Sequence, residues 1–159
     1  MNKTLILYYS LEGNTEKIAK YLEKELNFDI EKITPKKEFK AKGFSKYLIG
    51  GFQSSSKRKP KLNPIKHDIE KYDTILIGTP IWAGTLASPI YSLLEGNYIN
   101  SKNIALFYTF KGGDKKARKK IEKSVTKKNT LLSINSFLNV SEDLEKQQKK
   151  ALEWAKTIK

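Results

Sequence analysis

The stretch ILYYSLEGNTEKIAKYL, from Ile6 to Leu22, decides the fold. An apolar run of strand length is followed by the polar turn SLEGNT and then by a segment with apolar residues at helical spacing. A strand that leads directly into a helix is the unit from which parallel α/β sheets are built. The joining turn contains hydroxyls, an amide and one glycine but no lysine, although the chain has 31 lysines and arginines.

Similar units of strand and helix follow along the chain. Strands are predicted at about 4–9, 28–33, 72–77, 104–108 and 131–138, and helices at about 15–26, 88–94, 115–126 and from Ser141 onward. Asp114 and Ser141 are the predicted N-caps of the last two helices. The region 34–67 leaves room for a short further helix and a polar loop at 54–61. The pattern predicts a single α/β domain over residues 1–159.

Composition narrows the class of protein. The chain has no cysteine, which excludes disulfides and thiolate metal sites and favours a reducing, cytoplasmic location. No apolar run approaches the length that spans a membrane, so a soluble protein without membrane insertion is expected. The net charge of +14 comes almost entirely from lysine, whereas reading of base edges favours arginine. Specific nucleic-acid binding is therefore not expected. Two explanations of the charge stay open: weak, non-specific attraction to polyanions, or a lysine-rich amino-acid composition that is general in the source organism.

SLEGNT has the chemistry of an anion-binding loop. Gly13 permits a turn, and the free amides and positive dipole end of the following helix point back at the loop. The hydroxyls of Ser10 and Thr15 and the amide of Asn14 add neutral donors. The glycine patterns of nucleoside-triphosphatase and dinucleotide-binding loops are missing. Two interpretations are open, a phosphate site or a plain helix cap formed by Asn14 or Thr15.

Two further segments follow predicted strands in the same way. GTPIWAG, from Gly78 to Gly84, places Trp82 just beyond a strand, and TFKGGD, from Thr109 to Asp114, places two glycines before a helix. The carboxyl ends of strands are where open α/β sheets bind ligands. A core position for Trp82 and an ordinary turn at the two glycines are the alternatives.

Together these segments resemble the flavodoxin family. Ser10, Gly13, Thr15, Ala19 and Leu22 fall on the family signature. The resemblance implies a flavodoxin-like three-layer sandwich of the short-chain type, with a five-stranded parallel sheet of order 2-1-3-4-5 and helices on both faces. It also implies FMN as the cofactor, because one phosphate loop is present and no second nucleotide-binding segment is evident.

The resemblance further implies which residues contact FMN. The phosphate would lie on the first loop, Trp82 would stack on the isoalloxazine ring, and Phe110 is a candidate for the other ring face. The implied contacts are Ser10, Leu11, Glu12, Gly13, Asn14, Thr15, Thr79, Pro80, Ile81, Trp82, Ala83, Gly84, Thr109, Phe110, Gly112 and Gly113. No catalytic or metal-binding residue is predicted, and His67, the one histidine, is expected in an exposed loop.

The expected function is that of a one-electron carrier between redox partner proteins, rather than a stand-alone enzyme. Two alternatives are an FMN-dependent NAD(P)H reductase of quinones or similar acceptors, and a flavin-free scaffold that binds an acidic partner or nucleic acid. Partners with acidic docking faces and a monomer or weak dimer are expected. Lysines near the flavin rim would make its second reduction potential less negative; the candidates are Lys57, Lys59, Lys61, Lys111, Lys115 and Lys116.

Overall fold

Five strands form the central parallel sheet, and four of them are mainly apolar. The computed structural model describes residues 3–37, 59–82, 84–112, 114 and 116–158. Its strands are β1 (Thr4–Tyr8), β2 (Asp29–Lys32), β3 (Thr74–Trp82), β4 (Thr85–Leu86), β5 (Asn103–Phe110) and β6 (Thr130–Leu138). The order in the sheet is β2-β1-β3-β5-β6, and β4 pairs only with the end of β3, in antiparallel orientation. With β4 set aside, this confirms the predicted order 2-1-3-4-5.

Helices cover both faces of the sheet. They are α1 (Asn14–Leu26), α2 (Ser88–Glu95), α3 (Ala117–Val125) and α4 (Leu144–Ala155), with a 3-10 turn at Ile69–Lys71. The central strands are apolar on both sides, as in sheets buried between two helical layers. α1 and α4 pack around Ile6, Leu76 and Phe107, and α2 and α3 pack on the opposite face around Leu5, Ile75 and Ile104. In the described parts of the chain, no helix is long and apolar enough to cross a membrane.

β3 is longer than the prediction of a strand at 72–77. It continues to Trp82 and turns back into β4, so Trp82 lies at a hairpin rather than in an open loop. Pro80 lacks an N–H and so cannot donate a hydrogen bond to a neighbouring strand. The Gly78 carbonyl accepts from the Tyr9 N–H at 3.0 Å, so the backbone groups of Gly78 point towards β1. The backbone nitrogen of Pro80, two residues further on, points to the same side. β1 has already ended there, and the missing N–H costs no ladder bond.

Both predicted N-caps are wrong. The Asp114 carboxylate accepts the Tyr108 hydroxyl at 2.6 Å, and α3 begins later, with Lys116 in the N-cap position. The N-cap of α4 is Asp143, whose carboxylate accepts from the Lys146 N–H at 3.3 Å, and not Ser141. At α3 the Asp114 carboxylate is engaged by Tyr108, and at α4 Asp143, two residues after Ser141, is the residue that caps the helix.

Residues 34–36 and 61–63 run side by side as a short antiparallel ladder outside the strands of the sheet. Pro35 and Leu62 form a bridge, and the Lys36 N–H donates to the Lys61 carbonyl at 2.8 Å. The helix and most of the loop predicted within 34–67 lie outside the described residues. His67 is not a free loop residue, because its Nδ1 lies 2.6 Å from the Glu31 carboxylate.

The carboxylate of Glu95 forms an ion-pair cluster at the end of α2. Its side chain is 13% exposed and lies 2.6 Å from Lys59 Nζ and 2.9 Å from Lys127 Nζ. The Ser124 hydroxyl donates to the same carboxylate at 3.1 Å. Burial opposes ionisation, but these three donors outweigh it and lower the pKa of Glu95 to about 2.

We expect Glu95→Gln to lower the free energy of unfolding at neutral pH by roughly 2–3 kcal/mol. The folded-state pKa lies below the ordinary value of 4.5, so the stabilisation is complete above pH 4.5 and is lost as the pH falls towards 2. Urea unfolding of both proteins from pH 7 to pH 2 measures the difference, which should shrink across that window. Glu25→Gln, at an exposed position of α1, is the control, and an equal effect there would contradict the prediction.

Candidate functional site

The carboxyl ends of β1, β3 and β5 meet at one edge of the sheet. Tyr8 lies opposite Gly78, which lies opposite Phe107, and Pro80 lies opposite Thr109. The residues just beyond these positions surround a cleft of about 210 Å³. Its lining residues are Ser10, Leu11, Glu12, Asn14, Thr15, Pro80, Ile81, Thr109, Phe110, Lys111 and Val140.

The N-terminus of α1 opens into this cleft without a side-chain cap. Gly13 occupies the N-cap position with a left-handed φ of 88°, and its carbonyl accepts from the Lys17 N–H at 2.9 Å. No described atom lies within 4 Å of the place where a Cβ of residue 13 would stand. The cap formed by Asn14 or Thr15 is therefore not observed, and the first amides of α1 have no side-chain partner.

The hydroxyl groups of the cleft differ in how they are satisfied. Thr15 Oγ1 and Thr109 Oγ1 lie 2.8 Å apart, and both residues are buried, so this bond joins the first and third loops. Ser10 is only 7% exposed, and its hydroxyl has no hydrogen-bond partner among the described residues. A buried hydroxyl normally has a partner, so Ser10 is a donor that a ligand can satisfy.

Close packing below the cleft leaves no room for a side chain at Gly78. A Cβ at this position would stand 2.5 Å from Phe107 Cζ and 3.1 Å from Thr15 Cγ2. Phe107 is fully buried against Phe137 and Trp154, with ring centroids 5.9 and 6.4 Å away. Gly78 therefore lets β3 approach both the core and the loop that carries Thr15.

The third loop presents Phe110 to the cleft and keeps Tyr108 out of it. The two rings lie 5.6 Å apart, but Tyr108 is buried and its hydroxyl donates to the Asp114 carboxylate. Burial, and then this hydrogen bond, raise the pKa of Tyr108 to about 12. Phe110 is therefore the aromatic side chain of this loop that a ligand in the cleft can contact.

The cleft brings together most of the residues predicted from the sequence. Nine of them line it: Ser10, Leu11, Glu12, Asn14, Thr15, Pro80, Ile81, Thr109 and Phe110. Gly13, Thr79, Gly84 and Gly112 belong to the same segments without lining it, and the Thr79 hydroxyl donates to the Pro80 carbonyl. Ala83, Gly113 and the side chain of Trp82 lie outside what the structure describes, so stacking by Trp82 stays a prediction.

Two lining residues were missing from the predicted contacts, Lys111 and Val140. Lys111 lies inside the predicted third loop and could have been included. Val140 follows β6, which carried no ligand-binding pattern, so sequence gave no signal for it.

Of the six lysines predicted near the flavin rim, one lines the cleft. Lys111 lines the cleft, whereas Lys59 pairs with Glu95 and lines a different cavity, and Lys61 and Lys116 do not line the cleft. Lys57 and Lys115 lie outside the described residues. Lys111 Nζ lies 3.4 Å from the Glu12 carboxylate, with both side chains more than half exposed, so this ion pair contributes little to stability.

Comparison with known proteins gives one family and one fold. A family model of the flavodoxins matches residues 3–155. The crystal structure of a flavoprotein in complex with FMN from Lactobacillus acidophilus NCFM is 27% identical, with a TM-score of 0.69 over 92% of this chain and 99% of that chain. A search of curated protein sequences gave no match.

Two more distant structures share the fold alone. One, described as a flavoprotein from Bacteroides uniformis ATCC 8492, is 23% identical, with a TM-score of 0.79 over 98% of this chain and 99% of that chain. The other, general stress protein 14 in complex with FMN from Treponema denticola, is 13% identical, with a TM-score of 0.58 over 99% of each chain. The family match, which extends over nearly the whole chain, and the observed strand order agree, and the chain belongs to the flavodoxin family.

Proposed function

We propose that this chain binds FMN in the cleft and carries single electrons between redox partner proteins. The observation that carries the proposal is the buried Ser10 hydroxyl, which has no partner among the described residues and lies beside the uncapped N-terminus of α1. Membership of the flavodoxin family supports it, and so does the likeness to the FMN complex from Lactobacillus acidophilus NCFM.

The donor set of the cleft fits a phosphate group. Backbone amides at the start of α1, the Ser10 hydroxyl and the Asn14 amide can all donate to an anion, and the helix dipole favours negative charge there. The enclosed volume of about 210 Å³ is below the roughly 300 Å³ of pockets that enclose a whole ligand. It therefore suits the phosphate end, and Ile81 and Phe110 offer apolar contact to the flavin ring.

The ionisable groups of the cleft favour a carrier over a reductase. Bound FMN would supply reversible electron transfer. Among the described lining residues, only Glu12 and Lys111 ionise, and both are exposed and paired with each other. Neither is held in a buried position where it could deliver a proton to a bound substrate. The net charge of +14 favours partners with acidic docking faces.

Binding of FMN and of riboflavin to the purified chain tests the cofactor. We expect a yellow complex of one FMN per chain and FMN binding at least about a hundredfold tighter than riboflavin, because only FMN carries the phosphate. Quenching of flavin fluorescence measures both affinities. A chain that stays colourless after incubation with FMN would favour the flavin-free scaffold instead.

Anaerobic mixing of the FMN complex with NADH or NADPH tests the carrier role. We expect no rapid bleaching of the flavin absorbance with either nucleotide alone, and bleaching when a flavodoxin reductase is added. Stopped-flow absorbance records both reactions. Rapid bleaching without the reductase would identify an NAD(P)H reductase and contradict the carrier.

A further inference from the structure

The two edges of the sheet are built differently. β2 forms one edge with four residues, of which Asp29, Glu31 and Lys32 are charged. β6 forms the other edge with nine residues, TLLSINSFL, none of them charged, in a chain that is 30% charged. Edge strands are usually kept short or charged because their free backbone groups can pair with another chain. β2 follows this rule and β6 does not.

β6 also carries exposed apolar side chains. Leu132 is 40% exposed and Leu138 is 45% exposed. The described residues contain one other exposed large hydrophobic side chain, Leu11, at the cleft. A bulge places Leu132 between the partners of Ile104 and Ala105, and from Ser133 to Leu138 β6 pairs regularly with β5. Among the described residues nothing pairs with the outer edge of β6, which is regular from Ser133 to Leu138, with Leu138 at one end and the bulged Leu132 next to the other.

The backbone groups that face outward can be identified from one hydrogen bond. The Ser136 N–H donates to the Asn135 side-chain oxygen at 2.8 Å, so it points away from β5. Because alternate residues of a strand face the same neighbour, the backbone groups of Ile134 and Leu138 also point outward. The backbone groups of Asn135 then face β5, while its side-chain oxygen accepts from one outward N–H of the edge, that of Ser136.

We propose that β6 pairs antiparallel with β6 of a second copy, about a twofold axis at Asn135. Self-association of a chain with charge +14 needs an uncharged contact, and β6 supplies one. In this register Ile134 lies opposite Ser136 of the other copy, so outward backbone groups meet outward groups and exchange hydrogen bonds. Leu132 lies opposite Leu138 of the other copy, and the exposed leucines cover each other.

The surroundings of Asn135 are compatible with such a pair. The groove between β6 and α4 beside Asn135 is lined by Lys150 and Glu153, which have opposite charges and add no net repulsion. On pairing, the Ser136 N–H exchanges its bond to Asn135 for a backbone bond, and two Asn135 amides face each other at the axis. An isologous contact of this kind closes after two copies.

A cysteine scan tests the register, since the chain has no cysteine of its own. At the axis, Asn135 meets itself in a pair without backbone hydrogen bonds, where Cα atoms lie about 4.5 Å apart, within the range of a disulfide. We expect Asn135→Cys to form a covalent dimer under mild oxidation, measured on a non-reducing gel. Thr130→Cys, at the exposed start of the same strand, should not. No crosslink at Asn135, or equal crosslinking at both positions, would overturn the proposal.

Charge substitutions at the two leucines give an independent test. Leu132→Lys/Leu138→Lys places like charges opposite each other twice and should weaken the dimer at least about tenfold. Leu132→Lys/Leu138→Glu places opposite charges there and should keep the affinity within about threefold at low salt, with a loss at high salt. Leu11→Lys is the matched control at an exposed leucine outside β6 and should leave the affinity of self-association unchanged.

Sedimentation of the full chain from micromolar to millimolar concentration measures these affinities. The proposal requires a dimer of the unsubstituted chain in this range. A monomer throughout would overturn it, as would a dimer that both double variants weaken equally. Circular dichroism shows whether the variants fold, and the exposure of both leucines favours folding.

Discussion

Ser10→Asp is expected to weaken FMN binding by at least about a hundredfold and to change riboflavin binding by less than about threefold. The new carboxylate would replace the hydroxyl of a residue that is only 7% exposed, and it would repel the phosphate because charges at buried positions are screened less than charges in water. Riboflavin has no phosphate and does not meet this repulsion. Fluorescence titration with each flavin measures the two affinities under the same conditions.

Two further variants separate charge from shape. Ser10→Ala removes one hydrogen bond to a charged group and should weaken FMN binding by about tenfold. Ser141→Asp makes the same change at an exposed position outside the cleft and should leave both affinities unchanged. Equal weakening of FMN and riboflavin by Ser10→Asp would show that the phosphate does not lie at Ser10.

Gly78→Ala is expected to lower the free energy of unfolding by about 1–3 kcal/mol, as overpacked core positions do. The added Cβ would overlap Phe107 Cζ at 2.5 Å and press on Thr15 Cγ2 at 3.1 Å. Thr15 lines the cleft and forms a hydrogen bond with Thr109. Because the new Cβ presses on Thr15, FMN binding should also weaken in this variant. Urea unfolding and FMN titration measure the two effects.

A double variant identifies the colliding atom. Phe107→Leu removes the ring carbon that the new Cβ would meet, so combined with Gly78→Ala it should cost at least about 1 kcal/mol less than the sum of the single changes. Strict additivity of the two changes would place the strain elsewhere.

The sequence predicted most of the strands as apolar runs followed by a turn, a pattern that depends on neighbours in the chain, and its resemblance to the flavodoxin family implied the sheet order. It could not show that β3 continues through Pro80, since that depends on β1 ending opposite Gly78. The predictions of N-caps at Asp114 and Ser141 were also wrong. Asp114 is engaged by Tyr108, and Asp143 competes with Ser141 two residues away.

Much of the cleft could be predicted for the same local reason. Loops that follow parallel strands meet at one edge of the sheet, so three such loops predict one site. Val140 follows β6 without any glycine or hydroxyl pattern, and the pairing of Lys59 with Glu95 joins residues 36 positions apart. Contacts of this kind depend on the assembled fold and leave no periodic signal in the sequence.

The short ladder between residues 34–36 and 61–63 has a practical consequence for engineering. Because Pro35 bridges Leu62, these two stretches are held side by side outside the sheet. The entropy of closing a flexible loop between fixed ends grows slowly, by about 0.6 kcal/mol for each doubling of its length. A foreign peptide joined to these two ladder strands would therefore have its ends held side by side, with the rest of the fold acting as its carrier.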